Sequence, residues 1–179
     1  MKAILMSIQP KWCAKIANGE KTIEVRKTRP KIELPFKCYI YMTLAKPYCY
    51  EFAGGGKMKA KNGKVIGEFV CDRMYGVAIT GVFENGEQLP IDILKQSCLT
   101  VSEFHNYVGI KNCYGWHISE LKIYDKPKEL GEFRGFCSKK AKCYSDIIRH
   151  CNDTHLTWKC NPLARAPQSW CYVEELEEL

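Results

Sequence analysis

Lys21, Glu24 and Arg26 lie within six residues of one another and carry the most evident chemistry in the chain. A lysine there can neutralise a phosphate or activate a carbonyl. Arg26 offers a planar fork to a base edge or a phosphate, and Glu24 can orient either cation or accept from an exocyclic amine. Spacing alone suits a plain surface ion pair of Glu24 with Lys21 or Arg26 just as well, a contact worth ~0–1 kcal/mol.

The elements that must position these residues are short. Pro10 suits the first turn of a helix running to about Asn18, because its missing N–H would be unpaired there. Gly19 supplies the left-handed stop. Trp12, Cys13, Ile16 and Ala17 form the apolar stripe, and Lys11 and Lys15 lie one turn apart on another face. From Thr22 to Lys27 the residues alternate, with Thr22, Glu24 and Arg26 on one side and Ile23 and Val25 on the other, which predicts a half-buried strand. Gly19 is thus the turn that presents Lys21.

Further strands are predicted over Cys38–Thr43, Lys64–Met74 and Tyr114–Tyr124. Three consecutive glycines from Gly54 lack the Gly-Lys-Ser/Thr ending of a phosphate loop and read as a basic hairpin loop. Thr100 and Glu103 have capping-box spacing, which predicts a helix to about Tyr107 closed by Gly109. The pattern is that of an α+β chain: a small mixed or antiparallel β-barrel with short flanking helices.

The segment Gly19-x-Lys21-x-x-Glu24-x-Arg26 resembles the signature of the ASCH family, part of the PUA-like β-barrel superfamily. Ile4–Lys11, Trp116–Lys122 and Arg165–Tyr172 are also similar to bacterial and phage members. The resemblance implies a barrel over 1–136 whose cleft, lined by the signature, binds RNA or a nucleotide. Lys11, Trp12, Lys15, Gly19, Lys21, Glu24 and Arg26 are the expected binding residues. The family's enzymatic branch includes amidohydrolases of acetylated cytidine, and Lys21 matches their catalytic lysine. Those enzymes carry a threonine where this chain has Glu24, so a hydrolase using Lys21 and Glu24 on a modified nucleoside or RNA is the alternative. Glu68 and Glu103 are further carboxylates that an enzyme could bring to Lys21.

Charge supports an anionic partner. The 179 residues carry a formal +7, but residues 1–64 hold 14 Lys and Arg against four acids, a balance of +10, and the remainder holds −3. The positive field therefore belongs to the first third, around the signature. Tyr39, Tyr41, Tyr48 and Tyr50 interleave with lysines, as single-stranded nucleic acid requires, although alternating strand tyrosines also serve sheet packing. Trp116 reads as core and His117 as a satisfied core histidine rather than a base.

The N-terminus has no signal-peptide pattern and no window is apolar enough to span a membrane, so a cytoplasmic protein without a membrane partner is expected. Nothing in the sequence sets an oligomeric state. In a reducing compartment the 11 cysteines are buried thiols or metal ligands rather than disulfides. No cofactor is required by the signature. Cys137, Cys143, Cys151 and Cys160, with His155 as a substitute ligand, could close a structural zinc site in a Cys-rich extension, 137–179, packed on the barrel.

Overall fold

The computed structural model describes residues 1–52, 58–78, 81–109, 111–136 and 162–176. Strand β1 (Lys2–Ile8) leads to helix α1 (Pro10–Ala17) and then β2 (Ile23–Arg26) and β3 (Phe36–Met42). A ribbon of β4 (Tyr50–Phe52) and β5 (Met58–Ala60) follows. Next come β6 (Lys64–Cys71), β7 (Met74–Ala78), β8 (Gly81–Glu84) and β9 (Glu87–Leu89), helices α2 (Ile93–Ser97) and α3 (Val101–Val108), β10 (Cys113–His117), β11 (Ser119–Lys128) and finally β12 (Trp170–Glu174).

The strands form two five-stranded sheets, ordered β11-β6-β3-β1-β12 and β2-β10-β7-β8-β9, beside the β4-β5 ribbon. The expected barrel does not close among the described residues, because the edge strands of one sheet do not pair with those of the other. Instead the chain turns a corner twice. The predicted strand Lys64–Met74 breaks at Asp72 and Arg73, and the predicted strand Tyr114–Tyr124 breaks at Ile118, each passing from one sheet to the other. β1 and β3 pair in parallel, Ile4 with Cys38 through Ile8 with Met42, which the α1–β2 crossover makes possible.

β1 and β3 are buried on both faces. Ile4, Met6, Ile8, Cys38, Ile40 and Met42 pack with α1 and Trp116, whereas Ala3, Leu5, Tyr39 and Tyr41 pack with Phe133 and Val173 on the other side. Trp116 is fully buried and meets Phe36 edge-on at 5.7 Å. Tyr39 and Tyr41 are therefore sheet packing and cannot be base platforms, whereas Tyr48 is half exposed. A third cluster joins Ile23 and Val25 of β2 to Tyr75, Val77, Val82 and Val108.

The C-terminal segment is built into the sheet, with β12 pairing antiparallel to β1 from Met6 with Trp170 to Lys2 with Glu174. Residues 137–161, and with them Cys137, Cys143, Cys151, His155 and Cys160, lie outside the described residues. Seven cysteines are described, all as free thiols. No helix among the described residues is long and apolar enough to cross a membrane.

Helix α3 forms with the predicted capping box: Thr100 Oγ1 accepts from Glu103 N–H, and the Glu103 carboxylate accepts from Thr100 N–H. Lys11 adds an ion pair at 2.7 Å, and together these hold the Glu103 carboxyl down at about 2. A folded-state value below the unfolded ~4.3 stabilises the fold above that pH, and the contribution fades as pH falls toward 2. Glu103→Gln should therefore melt below the wild type at pH 6, and the two melting curves should converge near pH 2; a constant gap would refute this linkage.

Candidate nucleic-acid interface

The site begins with the end of α1. Asn18 and Gly19 cap the helix, Gly19 taking φ +75, and the N–H groups of Glu20 and Lys21 both donate to the Lys15 carbonyl at 2.9 and 3.0 Å. The chain is thereby folded back so that Lys21 rises against the helix end. Thr22 is tied on one side to Gln96 and on the other to Ile118. β2 then runs antiparallel to β10, with Glu24 opposite Trp116 and Arg26 opposite Tyr114. Gly115 lets α2 approach, since a Cβ there would stand 3.0 Å from Ile23 and 3.1 Å from Ile93.

β2 is not half-buried as its alternation predicts; all four of its residues are buried. Its apolar face enters the third core cluster, and its polar face enters a buried chain of charges. Lys21 Nζ lies 3.2 Å from Glu24 Oε2 and donates to the Ser97 carbonyl at 2.7 Å. Arg26 lies 3.0 Å from Glu24 Oε1, donates to the Ser7 carbonyl at 2.7 Å and reaches the Ser169 hydroxyl at 3.2 Å. Lys21, Glu24 and Arg26 are 3%, 7% and 6% exposed, so this is not the surface ion pair that spacing alone allows. Two cations share one carboxylate, leaving a net positive charge held in place by backbone carbonyls from three other segments.

Around this floor stand aromatic groups. Trp12 is half-buried, with Lys21 Nζ 5.4 Å and Lys11 Nζ 4.1 Å from its ring centre. Tyr107 of α3 lies close enough for Arg26 to act on its phenol, and Lys27 sits 5.1 Å over its ring. Burial pushes the Tyr107 phenol up, opposed by the nearby guanidinium. Arg26 Nε has no hydrogen-bond partner among the described residues.

The structure thus brings Trp12, Lys21, Glu24 and Arg26 together, with Gly19 at the turn. Lys11 and Lys15 are on the rim, each already paired with an acid, Glu103 at 2.7 Å and Glu20 at 3.0 Å. Of the further carboxylates weighed for Lys21, Glu103 is held by Lys11, and Glu68 lies with Lys37 and Tyr124; neither is among the partners of Lys21. His117 is partly exposed and pairs through Nδ1 with Asp72 at 2.6 Å.

Three solved structures share this arrangement of elements. The ASCH protein from Zymomonas mobilis matches with a TM-score of 0.55 over 97% of this chain and 88% of that one. Two mutant forms of it match with TM-scores of 0.59 and 0.58, over 98% and 97% of this chain and 92% and 89% of theirs. The chain has the ASCH fold. Sequence identity to all three is 15%, and no protein-family model and no curated protein matches the sequence.

In this ASCH fold the charge chain closes a junction that the linear sequence scatters. Ser7, Ser97, Ser169 and Tyr107 complete it, and none was evident from residue type. Ser7 and Ser169 do fall inside Ile4–Lys11 and Arg165–Tyr172, two of the stretches that carry the family resemblance.

Proposed function

We propose that the chain is a nucleic-acid-binding module of ASCH type that favours RNA, with its cleft over Lys21, Glu24 and Arg26. The observation that supports it is the buried two-cation, one-anion floor flanked by Trp12 and Tyr107. The floor supplies a fixed positive potential at little reorganisation cost. The aromatic walls supply stacking, worth about 1–3 kcal/mol per base in single-stranded complexes. Lys11 and Lys15 hold exposed ion pairs of the weak kind, so a phosphate can replace Glu103 or Glu20 as their partner.

Hydrolysis is less well supported, since Lys21 and Glu24 are buried against each other and the Thr22 hydroxyl, just before β2, is turned to Gln96. Incubation with acetylated cytidine and product analysis checks it, turnover dependent on Lys21 being the result that would favour an enzyme.

Binding is tested on rim residues that leave the floor intact. With a single-stranded RNA oligonucleotide, Lys11→Ala/Lys15→Ala should lower the slope of log K against log salt by about 1.4, from ~0.7 per lost phosphate contact. Trp12→Ala should weaken binding at least about fivefold, the lower end of one stacking contact. Wild-type affinity and slope in both variants would remove the cleft from consideration. The cysteines at 137, 143, 151 and 160, with His155 in reserve, carry a separate proposal of structural zinc. Retention of about one metal equivalent after purification supports it, and less than about half argues against it.

A further inference from the structure

A second cavity, of about 610 Å³, opens between the β7-β8-β9 meander and helices α2 and α3. Helix α3 separates it from the ionic cleft. Val101, Phe104, His105 and Val108 recur at i, i+3, i+4 and i+7 and line the cavity, whereas Glu103 and Tyr107, one turn apart on the other flank, reach Lys11 and Arg26. α2 is shared in the same way, lending Ile93 and Leu94 to the cavity and the Ser97 carbonyl to Lys21.

The lining is mainly apolar and incompletely covered. Leu89, Ile91, Ile93 and Phe104 are only partly buried, and Val101 is 59% exposed. Contiguous apolar surface of this kind in a concave chamber marks a binding site, and small organic ligands occupy chambers of about 300–1,000 Å³. The polar groups on the wall differ in availability. One Asp92 carboxylate oxygen accepts from the Lys95 N–H as the α2 cap, and Gln88 is engaged. The Lys111 ammonium and the His105 ring nitrogens make no hydrogen bond or ion pair with a described residue, the His105 ring resting against Phe104.

From this juxtaposition we infer that the cavity binds a small amphipathic organic anion, its apolar body against the α3 stripe and its carboxylate or sulfonate at Lys111 and His105. The apolar wall supplies most of the affinity, and the two donors set orientation and favour an anionic end over a cationic one. The inference is independent of nucleic-acid binding, since none of these residues belongs to the cleft.

Titration of the intact chain with 8-anilinonaphthalene-1-sulfonate, followed by fluorescence, tests it. One saturable site per chain is expected, displaced by decanoate, with a melting temperature that rises with ligand concentration. Val101→Trp, which fills the mouth from an exposed position, and Lys111→Glu, which reverses the charge, should each weaken binding tenfold or more while leaving the far-UV circular dichroism and the cooperativity of unfolding native. Absence of a saturable site up to about 1 mM, or wild-type affinity in either variant, would overturn the assignment.

Discussion

Replacing Glu24 with glutamine is expected to cost about 3–5 kcal/mol of folding stability, the loss typical of removing one partner from a buried ion pair. Among the described residues the carboxylate is the only anion in the buried charge cluster that also holds Lys21 at 3.2 Å and Arg26 at 3.0 Å, and all three side chains are more than nine-tenths buried. Without it two cations face each other away from water, each keeping only neutral carbonyl and hydroxyl acceptors. Lys21→Met acts in the opposite sense on charge, leaving Glu24 and Arg26 as a neutral pair and the Ser97 carbonyl without its donor. The order of cost is therefore Glu24→Gln above Lys21→Met. Equilibrium unfolding in denaturant measures both; a smaller loss for Glu24→Gln than for Lys21→Met would show that the carboxylate does not neutralise the pair.

That ordering could not have been reached from the sequence, and the reason is physical. Alternation along Thr22–Lys27 correctly shows which side chains share a face, because it reports the pleat. It says nothing about whether that face meets water. What buries Glu24 and Arg26 is the arrival of the β1 end and the segment before β12, through the carbonyl of Ser7 and the carbonyl and hydroxyl of Ser169. Backbone acceptors have no sequence signature, since every residue carries one.

Local elements were more legible. Pro10, Asn18 and Gly19 bound α1, and Thr100 with Glu103 caps α3, because those signals act within one turn. β1 was missed as a strand. Its run from Ala3 to Met6 is buried on both faces, so it has no alternation to read, and its parallel partner β3 lies some 30 residues away in sequence. The corners at Asp72 and Ile118 were missed for the converse reason: a β pattern that continues across a bend looks like one long strand. The expected closed barrel failed with those corners, while the positive charge balance of residues 1–64 includes Lys21 and Arg26, the two cations of the buried charge chain.

The same geometry separates two roles for Arg26. A guanidinium that serves mainly to contact phosphate can be replaced by lysine with its charge, and much of its affinity, retained. A guanidinium that clasps Glu24, the Ser7 carbonyl and Ser169 at once uses the fork, which an ammonium cannot reproduce. Arg26→Ala is expected to cost at least about 3 kcal/mol, from two or more charge-assisted hydrogen bonds of about 1.5–3 kcal/mol each. Arg26→Lys should recover less than half of that, because a single ammonium, without the fork and reach of the guanidinium, cannot span β1, β2 and the segment before β12. Both are read by denaturant unfolding, with RNA binding measured on whichever variant remains folded. Full recovery of stability by lysine would make Arg26 a simple charge in the cleft. Partial recovery, with affinity falling in step with the folded fraction, would make it the clasp that holds the floor beneath Trp12 and Tyr107.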